Sequence, residues 1–330
     1  MSTDTALQSG RLRHLGVLRF TGPDSLSFLQ GQLSNDTQRL GERRNLFAAY
    51  SSPQGRVLAL LHLLPHSSGI AAILPRELLA PTLEGLRKYV LRAKVKIEDA
   101  GESLIVAGLH VATEPLAAAE PRAAVDLHAA AAADRRTIEA LRAAGLSAPP
   151  TDGAYLEADG IGVGAVNHDT GRCWIVGAAE TLAARGLRGD DADRIEHDWR
   201  LADIRAGLPQ IYLPTRETFV AQMLNLDLLD GISFSKGCYT GQEIIARTQH
   251  LGRIKRRLFR LQLPAGDWSI GQALRLRDGR AGRLTEVLAH GDGALALAVL
   301  NLAAGTAGAE EDSASGAAVD AAELPLPYPL

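Results

Sequence analysis

Residues 236–243 carry the side chains best suited to chemistry in this chain. They read Lys-Gly-Cys-Tyr-Thr-Gly-Gln-Glu and include Cys238, one of only two cysteines. Thr240 and Glu243 have the spacing of a capping box, and two isoleucines follow, so the pattern predicts that a helix begins here. A thiol just ahead of a helix N-terminus, two residues from Lys236, lies in a positive field that favours the reactive thiolate.

We therefore assign Cys238 and Lys236 as the catalytic pair. Cys238 could attack an electrophile, join a mixed disulfide or ligate a transient metal, while Lys236 holds the thiolate or an anionic ligand. A lone cysteine is a poor permanent cluster site, because clusters usually need four ligands. A redox or transfer role is thus favoured over stable metal binding, and we predict no metal site. The alternative is a structural turn with a buried cysteine.

Composition sets broad limits on the function. The chain has 330 residues, of which 46% are hydrophobic and 22% charged, with a net charge of −3. These values are typical of a globular protein and give no global basic bias toward nucleic acid. Two cysteines cannot form a disulfide framework, and neither a signal peptide nor a membrane-spanning stretch is recognisable. We expect a soluble, cytoplasmic protein.

The first half of the chain predicts an α+β fold with antiparallel sheet. Strand patterns cover residues 15–20, 46–50, 56–64, 70–74, 94–98 and 103–108, and helical patterns cover 23–29 and 77–90. Strands that follow one another across short turns favour antiparallel pairing over regular βαβ units. The alanine-rich residues 117–144 predict one or two surface helices.

The second half changes character at Gly252. Before it, strands are predicted at 162–166 and 173–176 and helices at 179–185 and 192–206. After it, short strands divided by glycines at 258–263, 273–277, 282–288 and 294–299 predict a small β-barrel or sandwich. Residues 303–322, rich in small and polar residues, predict a mobile loop.

Several segments together resemble the YgfZ-type folate-binding proteins, relatives of the glycine-cleavage T-protein (aminomethyltransferase). The most specific is residues 236–243, and it is joined by the upstream Arg-Ala-Gly-Leu-Pro at 205–209. Further matching segments occur at 20–24, 28–36, 52–56, 225–226 and 231–234, and in the closing Pro-Leu-Pro-Tyr. The resemblance therefore covers nearly the whole chain.

The resemblance implies a T-protein-like arrangement of two α+β folate-binding domains and a C-terminal small β-barrel. We place the first domain at residues 1–115, the second, which ends in the 236–243 motif, at 116–252, and the barrel at 253–330; the first two domains may interleave. The implied ligand is tetrahydrofolate or a derivative. The implied partners are iron–sulfur client enzymes, including those that thiomethylate tRNA. We expect a monomer.

Departures from the T-protein pattern affect the expected chemistry. That pattern places two acids where this chain has Ala59 and Leu60, and neither side chain can handle a proton. The T-protein also fixes the pterin ring with a glutamate, yet no acid lies between Asp169 and Glu180. We expect the ligand site to persist without the transferase reaction. A folate-dependent aminomethyltransferase remains the alternative.

The resemblance also assigns ligand-binding residues. Trp199 occupies the place of a family tryptophan that packs on folate, and a flat ring suits an indole face; the alternative is a core tryptophan. Leu15 occupies the place of a second tryptophan found in some relatives, so one stacking partner is replaced. Arg205, Tyr239 and Gln242 complete the predicted folate-binding set, with Gln242 also orienting the turn.

A basic run follows the motif and raises a second alternative, a tRNA-binding module. Arg253, Lys255, Arg256, Arg257 and Arg260 could contact phosphates. The other interpretation is the solvated face of a linker entering the barrel. Only Phe259 is near for base stacking, so we do not expect direct nucleic-acid binding.

Overall fold

The computed structural model describes residues 7–111, 137–148, 153–166, 171–187, 192–250, 252, 254–304 and 318–330. The chain forms two compact units, each made of discontinuous segments. Unit 1 comprises Met1–Gln30, Thr37–Phe47 and Leu61–Trp199, and unit 2 comprises Gly31–Asp36, Ala48–Leu60 and Arg200–Leu330. The domain boundaries after residues 115 and 252 stay a prediction.

The strands of the described residues were largely anticipated from the sequence. They are β1 (Leu7–Arg11), β2 (Leu15–Thr21), β3 (Leu46–Ser51), β4 (Val57–His66), β5 (Gly69–Pro75), β6 (Lys96–Asp99), β7 (Ile105–Val111), β8 (Tyr155–Ala158), β9 (Ile161–Ala165), β10 (Arg172–Gly177), β11 (Arg256–Leu263), β12 (Ala273–Arg275), β13 (Ala281–His290), β14 (Gly293–Asn301) and β15 (Ala322–Leu324). Strands β1, β8 and β15 were missed, because each is short and has a weak alternation signal.

The described residues also form helices. They are α1 (Ser25–Gln30), α2 (Leu79–Arg87), α3 (helical over 137–143), α4 (Ala179–Ala184), α5 (Ala192–Ala206) and α6 (Gln242–His250). The predicted 192–206 helix is confirmed, and it ends at Gly207, whose φ of +65° gives the left-handed turn common after a helix. The predicted surface helices at 117–144 lie mostly outside the described residues.

The described part of the chain forms three five-stranded antiparallel sheets. Their orders are β1-β7-β10-β9-β8 in unit 1, β12-β13-β14-β11-β15 in unit 2, and β3-β4-β5-β2-β6. Strand β4 is a nearly continuous apolar run whose first five residues are all buried, as expected for a strand covered on both faces. The predicted α+β class with antiparallel sheet is therefore correct.

The first sheet of unit 1 has its own apolar core. Cys173 lies in this core, 3% exposed, in register opposite Leu109. Side chains from α3 and α4 close the same cluster, including Leu141 and Leu182, which are both fully buried. Cys173 is thus a packing residue, as small buried thiols commonly are.

The closed C-terminal barrel predicted for 253–330 is not confirmed. Over the described residues these strands form an open sheet with β12 and β15 at its edges. Strand β15 pairs with β11 over three residues only, and Pro325 follows it. The chain just before β15 meets the β12 edge only through an isolated bridge between Leu276 and Val319, so no continuous ladder closes the barrel over the described residues.

Candidate functional site

Two distant segments of unit 2 are joined beside the 236–243 motif. Ser34 Oγ donates to Gly231 O (2.6 Å) and accepts from Ala49 N (2.8 Å), and Ser233 N donates to Ser34 O (2.9 Å). Ser34 is fully buried. Its hydroxyl therefore ties residues 31–36, strand β3 and the loop before the motif into one framework.

Asn35 strengthens the same junction. Its Nδ2 donates to Asp230 O (2.5 Å), and its Oδ1 accepts from Asp36 N (2.8 Å). Asp230 has a φ of +50°, an uncommon conformation for a residue with a side chain. The amide of Asn35 thus fixes the loop at the point where the backbone reverses.

Lys236 binds into this framework. Its Nζ donates to Leu33 O and Asn35 O, both at 2.8 Å, and lies 5.0 Å from the ring centroid of Tyr239. Burial lowers the pKa of Lys236 to about 8, although Asp36 opposes the shift. The ammonium is therefore held in place and gives up its proton more readily than an ordinary lysine.

Cys238 lies two residues further on, with an exposed side chain. Gly237 before it has open space around its Cα. Tyr239 after it is 8% exposed, and burial raises the pKa of its hydroxyl to about 12. The cysteine thus lies between a buried ring and an anchored lysine while its sulfur stays accessible.

The chain after Cys238 is held by backbone and side-chain contacts. Thr240 N donates to Gly31 O (3.2 Å), and Thr240 Oγ1 lies 3.4 Å from Gln32 Oε1. Helix α6 begins at Gln242, so Thr240 contacts Gln32 instead of serving as the predicted N-cap. The predicted helix is present, but it starts two residues after the predicted cap at Thr240, and Cys238 precedes it by four residues.

Two glycines bring the β3–β4 turn against the start of α6. Gly241 has a φ of +82°, and a Cβ there would lie 2.6 Å from Ser52 O and 3.1 Å from Gly55 Cα. Gly55 has a φ of +69°, and a Cβ there would lie 2.8 Å from Ile244 Cβ. Both positions need a residue without a side chain, for conformation and for space.

Trp199 belongs to unit 1 and is 1% exposed. Its ring lies 4.7 Å from that of Trp174, with the Arg172 guanidinium 4.6 Å from its centroid. Arg172 Nη1 also donates to Trp199 O (3.2 Å), and a Cβ on Gly108 would lie 2.5 Å from the indole. A ligand ring could stack here only after the guanidinium moved, so folate stacking on Trp199 stays a prediction.

The remaining predicted folate-binding residues are spread over both units. Leu15 is in β2, 5% exposed, and pairs with Pro75. Arg205 is in the last turn of α5, where its carbonyl accepts from Arg260 Nη1 (2.5 Å). Gln242 opens α6. The motif residues Lys236, Cys238, Tyr239 and Gln242 are close in sequence within unit 2, whereas Leu15 and Trp199 lie in unit 1.

Sequence reasoning missed the contribution of residues 33–35. These residues lie in a segment that resembles the family, yet no local pattern assigns a role to Ser34, Asn35 or the carbonyl of Leu33. A polar Ser-Asn pair directly after the apolar Leu33 was the available signal. Its meaning depends on a contact some 200 residues away, which a local pattern cannot reveal.

The positions that replace the T-protein acids are apolar and enclosed. Ala59 and Leu60 lie in β4, and both are 0% exposed.

Two arginines of the basic run that follows the motif contact other residues of unit 2. Arg257 forms a two-point ion pair with Asp227 (2.6 and 2.8 Å), and Arg260 donates to the carbonyls of Arg205 and Pro325. Arg253 lies outside the described residues.

No helix among the described residues is long and apolar enough to cross a membrane. Nor do those residues contain a group of three or more His, Cys, Asp or Glu side chains arranged to hold a metal ion.

The fold is that of the aminomethyltransferase class. The solved glycine cleavage system aminomethyltransferase T from Bartonella henselae superposes with a TM-score of 0.54, covering 90% of this chain and 78% of that one at 13% identity. At this identity the likeness concerns the fold alone. No family model matches the sequence.

Curated relatives define the family more narrowly. The chain is 31% identical over 325 residues to the tRNA-modifying protein YgfZ of Klebsiella pneumoniae, covering 94% of this chain and 89% of the relative. It is 33% identical to the Edwardsiella ictaluri protein of the same name, covering 78% and 70%. The chain therefore belongs to the YgfZ family, as the sequence motifs had indicated.

Proposed function

We propose that this chain is a folate-binding accessory protein that supports tRNA modification in the cytoplasm. Its clients would be iron–sulfur enzymes such as those that thiomethylate tRNA, and its ligand tetrahydrofolate or a derivative. The observation that carries the proposal is 31% identity over 325 residues to a protein named as tRNA-modifying. The folate-utilising class to which the fold belongs supports the ligand assignment.

The motif geometry supports Cys238 and Lys236 as the reactive pair. The thiol is exposed, and the neighbouring lysine is anchored by two carbonyls at 2.8 Å. An exposed thiol two residues from an anchored cation is open to attack by, or on, a partner molecule. The pair can therefore meet a client protein or a small electrophile at the surface of unit 2.

Aminomethyl transfer is the less supported alternative. The fold is shared with an aminomethyltransferase. However, Ala59 and Leu60 cannot carry a proton, and both are fully buried. Any measurable formation of methylenetetrahydrofolate from an aminomethyl-lipoyl carrier would restore this alternative.

A direct tRNA-binding role is also less supported. Arg257 and Arg260 are already engaged by Asp227 and by backbone carbonyls, so they would have to break those bonds to reach phosphates. If tRNA did bind through the basic run, affinity would fall steeply with salt, with a slope set by the number of phosphates contacted.

Calorimetric titration with tetrahydrofolate and 5-formyltetrahydrofolate tests the ligand assignment. We expect micromolar binding that weakens in Trp199→Phe, because the smaller ring offers a ligand less stacking area than the indole does. Trp268→Phe is the matched control, because that indole donates to Pro264 O in unit 2. Absence of binding by the unaltered protein would contradict the folate assignment, and equal weakening in both variants would contradict the role of Trp199.

A further inference from the structure

Unit 1 contains a cavity of about 660 Å³ that lies apart from every residue assigned above. Its volume is within the range of small-molecule sites, which are mostly apolar with a few fixed polar groups. The walls are apolar, with Phe20, Leu40 and Ile70 almost fully buried behind them and Leu26 at the rim. The turn between β4 and β5 and the start of β8 supply the polar side.

A single carboxylate dominates the polar side. Glu157 accepts from Ser67 N (2.8 Å), from Ser67 Oγ by a very short bond, and from the hydroxyl of Tyr155 (3.2 Å). Its side chain is 17% exposed. Burial raises the pKa of Tyr155, so that hydroxyl stays a donor. Three donors thus fix the orientation of the carboxylate before any ligand arrives.

These donors also keep Glu157 ionised. Partial burial by itself raises the pKa of a carboxyl group, but the hydrogen bonds from Ser67 outweigh it, and the pKa of Glu157 lies below its usual value. At neutral pH the cavity therefore contains a full negative charge.

His66 is the other titratable side chain beside the carboxylate. Its Nδ1 lies 3.1 Å from Ser68 N and 2.8 Å from Ser68 Oγ, and its Nε2 lies 3.3 Å from Gly160 O and 3.7 Å from Glu157 Oε1. The His66 side chain is 5% exposed and that of Glu157 17%, so the carboxylate is the more accessible of the two groups. Arg43 is the one arginine of the lining, and it lies on the exposed rim.

We propose that this cavity binds a small ligand with an apolar, ring-sized body and a cationic amine or amidine head, which pairs with Glu157. The apolar walls take the ring, and the carboxylate takes the charge in a partly water-excluded position, where a charge-assisted hydrogen bond is strong. The ligand class follows from the sign and position of this half-buried carboxylate.

The test uses three probes that share an indole ring and differ in charge. Tryptamine carries a cation, 3-methylindole is neutral and indole-3-propionate carries an anion. Binding to the full chain would be measured by NMR titration, with shifts followed at the Ser67 and Tyr155 amides. We expect tryptamine to bind at least about tenfold more tightly than 3-methylindole, the factor given by a charged hydrogen bond of about 1.5–3 kcal/mol. Indole-3-propionate should bind most weakly.

Two variants complete the test. Glu157→Gln should remove the preference for tryptamine, whereas Glu98→Gln should leave it intact. Glu98 is a fair control because it is a unit 1 carboxylate of similar side-chain exposure, 23%, that pairs with Arg19 and Lys96 outside the cavity. If Glu157→Gln does not fold, the order of the three probes on the unaltered protein decides. Preference for the anion, equal binding of all three probes, or no saturable shift at Ser67 and Tyr155 would overturn the proposal.

Discussion

At the scale of single residues, the most informative feature is the contrast between Lys236 and Cys238. The lysine makes two 2.8 Å hydrogen bonds to carbonyls, whereas the cysteine beyond it has an exposed side chain. A residue kept only for packing would have its sulfur enclosed, as Cys173 has. The geometry therefore favours a reactive function for Cys238 over the structural turn considered from sequence.

The lysine itself can be titrated. Burial lowers the pKa of Lys236 to about 8, so its Nζ should lose a proton well before other lysines do. With lysine labelled at the ε carbon, we expect one carbon resonance to titrate near pH 8. The signal should be missing in Lys236→Met. Titration of every lysine signal above pH 10 would contradict the buried anchor.

His62, in unit 1, is a second residue whose pKa is shifted by its surroundings. Its ring stacks on Phe47 at 4.6 Å and lies 4.9 Å from Trp174. Burial, together with the charge of Arg172, lowers the pKa of His62 to about 3. The folded protein therefore keeps this imidazole neutral in mild acid, whereas the unfolded chain protonates it near the usual histidine pKa of about 6.5.

This difference predicts an acid-dependent loss of stability. Because the unfolded state binds the proton first, the free energy of unfolding is fully retained above about pH 6.5 and falls as the pH drops toward 3. Between pH 7 and pH 5 the His62 contribution is about 2 kcal/mol by this linkage. Urea unfolding at both pH values measures this: between pH 7 and pH 5, the free energy of unfolding should fall by about 2 kcal/mol less in His62→Phe than in the unaltered protein. An equal decrease in the free energy of unfolding in both proteins would contradict this prediction, because it would show that protonation of His62 does not destabilise the folded state.

At the scale of elements, the motif depends on how α6 meets the β3–β4 turn. Gly241 and Gly55 approach so closely that a Cβ on Gly241 would lie 2.6 Å from Ser52 O. Gly237, four residues earlier in the same motif, has open space around it. The two motif glycines therefore have different physical roles, although the sequence presents them alike.

A pair of alanine substitutions separates these roles. Gly241→Ala should destabilise unit 2 by about 1–3 kcal/mol, because it adds both a clash and an unfavourable positive φ. Gly237→Ala should change stability by no more than about 0.5 kcal/mol. Urea unfolding of both variants measures the difference. Equal effects of the two substitutions would mean that the close packing of the turn on α6 does not hold in solution.

Much of the element pattern was predictable because it depends on local periodicity. Strands such as β4 and β11 and helix α5 have strong apolar patterns, and their predicted bounds differ from the observed ones by no more than two residues. Strand β15 was missed because it is three residues long and is stabilised by pairing with β11, about 60 residues earlier. The closed barrel was predicted from the spacing of strands alone, and spacing does not determine whether a continuous ladder joins the two edges, which share only the bridge between Leu276 and Val319.

The candidate site likewise has residues that the sequence predicts and contacts that it does not. Lys236 and Cys238 were identifiable from residue types and spacing. The carbonyls that hold Lys236 belong to residues 33 and 35, so no local pattern could reveal them. The packing of Trp199 against Arg172 and Gly108 could not be predicted from the sequence either, since the three residues come from different elements.

At the scale of the whole molecule, the chain combines an aminomethyltransferase fold with membership of the YgfZ family. The apolar pair Ala59–Leu60 stands where the T-protein has acids, and the 236–243 motif is intact. Each unit keeps a separate apolar core, around β7 and β10 in unit 1 and around β11 and β14 in unit 2. The proposal that an exposed thiol acts where the transferase has acids rests on this combination.

The most direct test is to measure thiomethylated tRNA by mass spectrometry in bacterial cells that lack their own family member. The unaltered chain should restore the modified nucleoside, and Cys173→Ser should do so too at equal protein level, because that thiol is a buried packing residue. Cys238→Ser should reduce the modification at least about tenfold while the protein remains folded. Full restoration by Cys238→Ser would contradict the account and reduce the 236–243 motif to a structural turn.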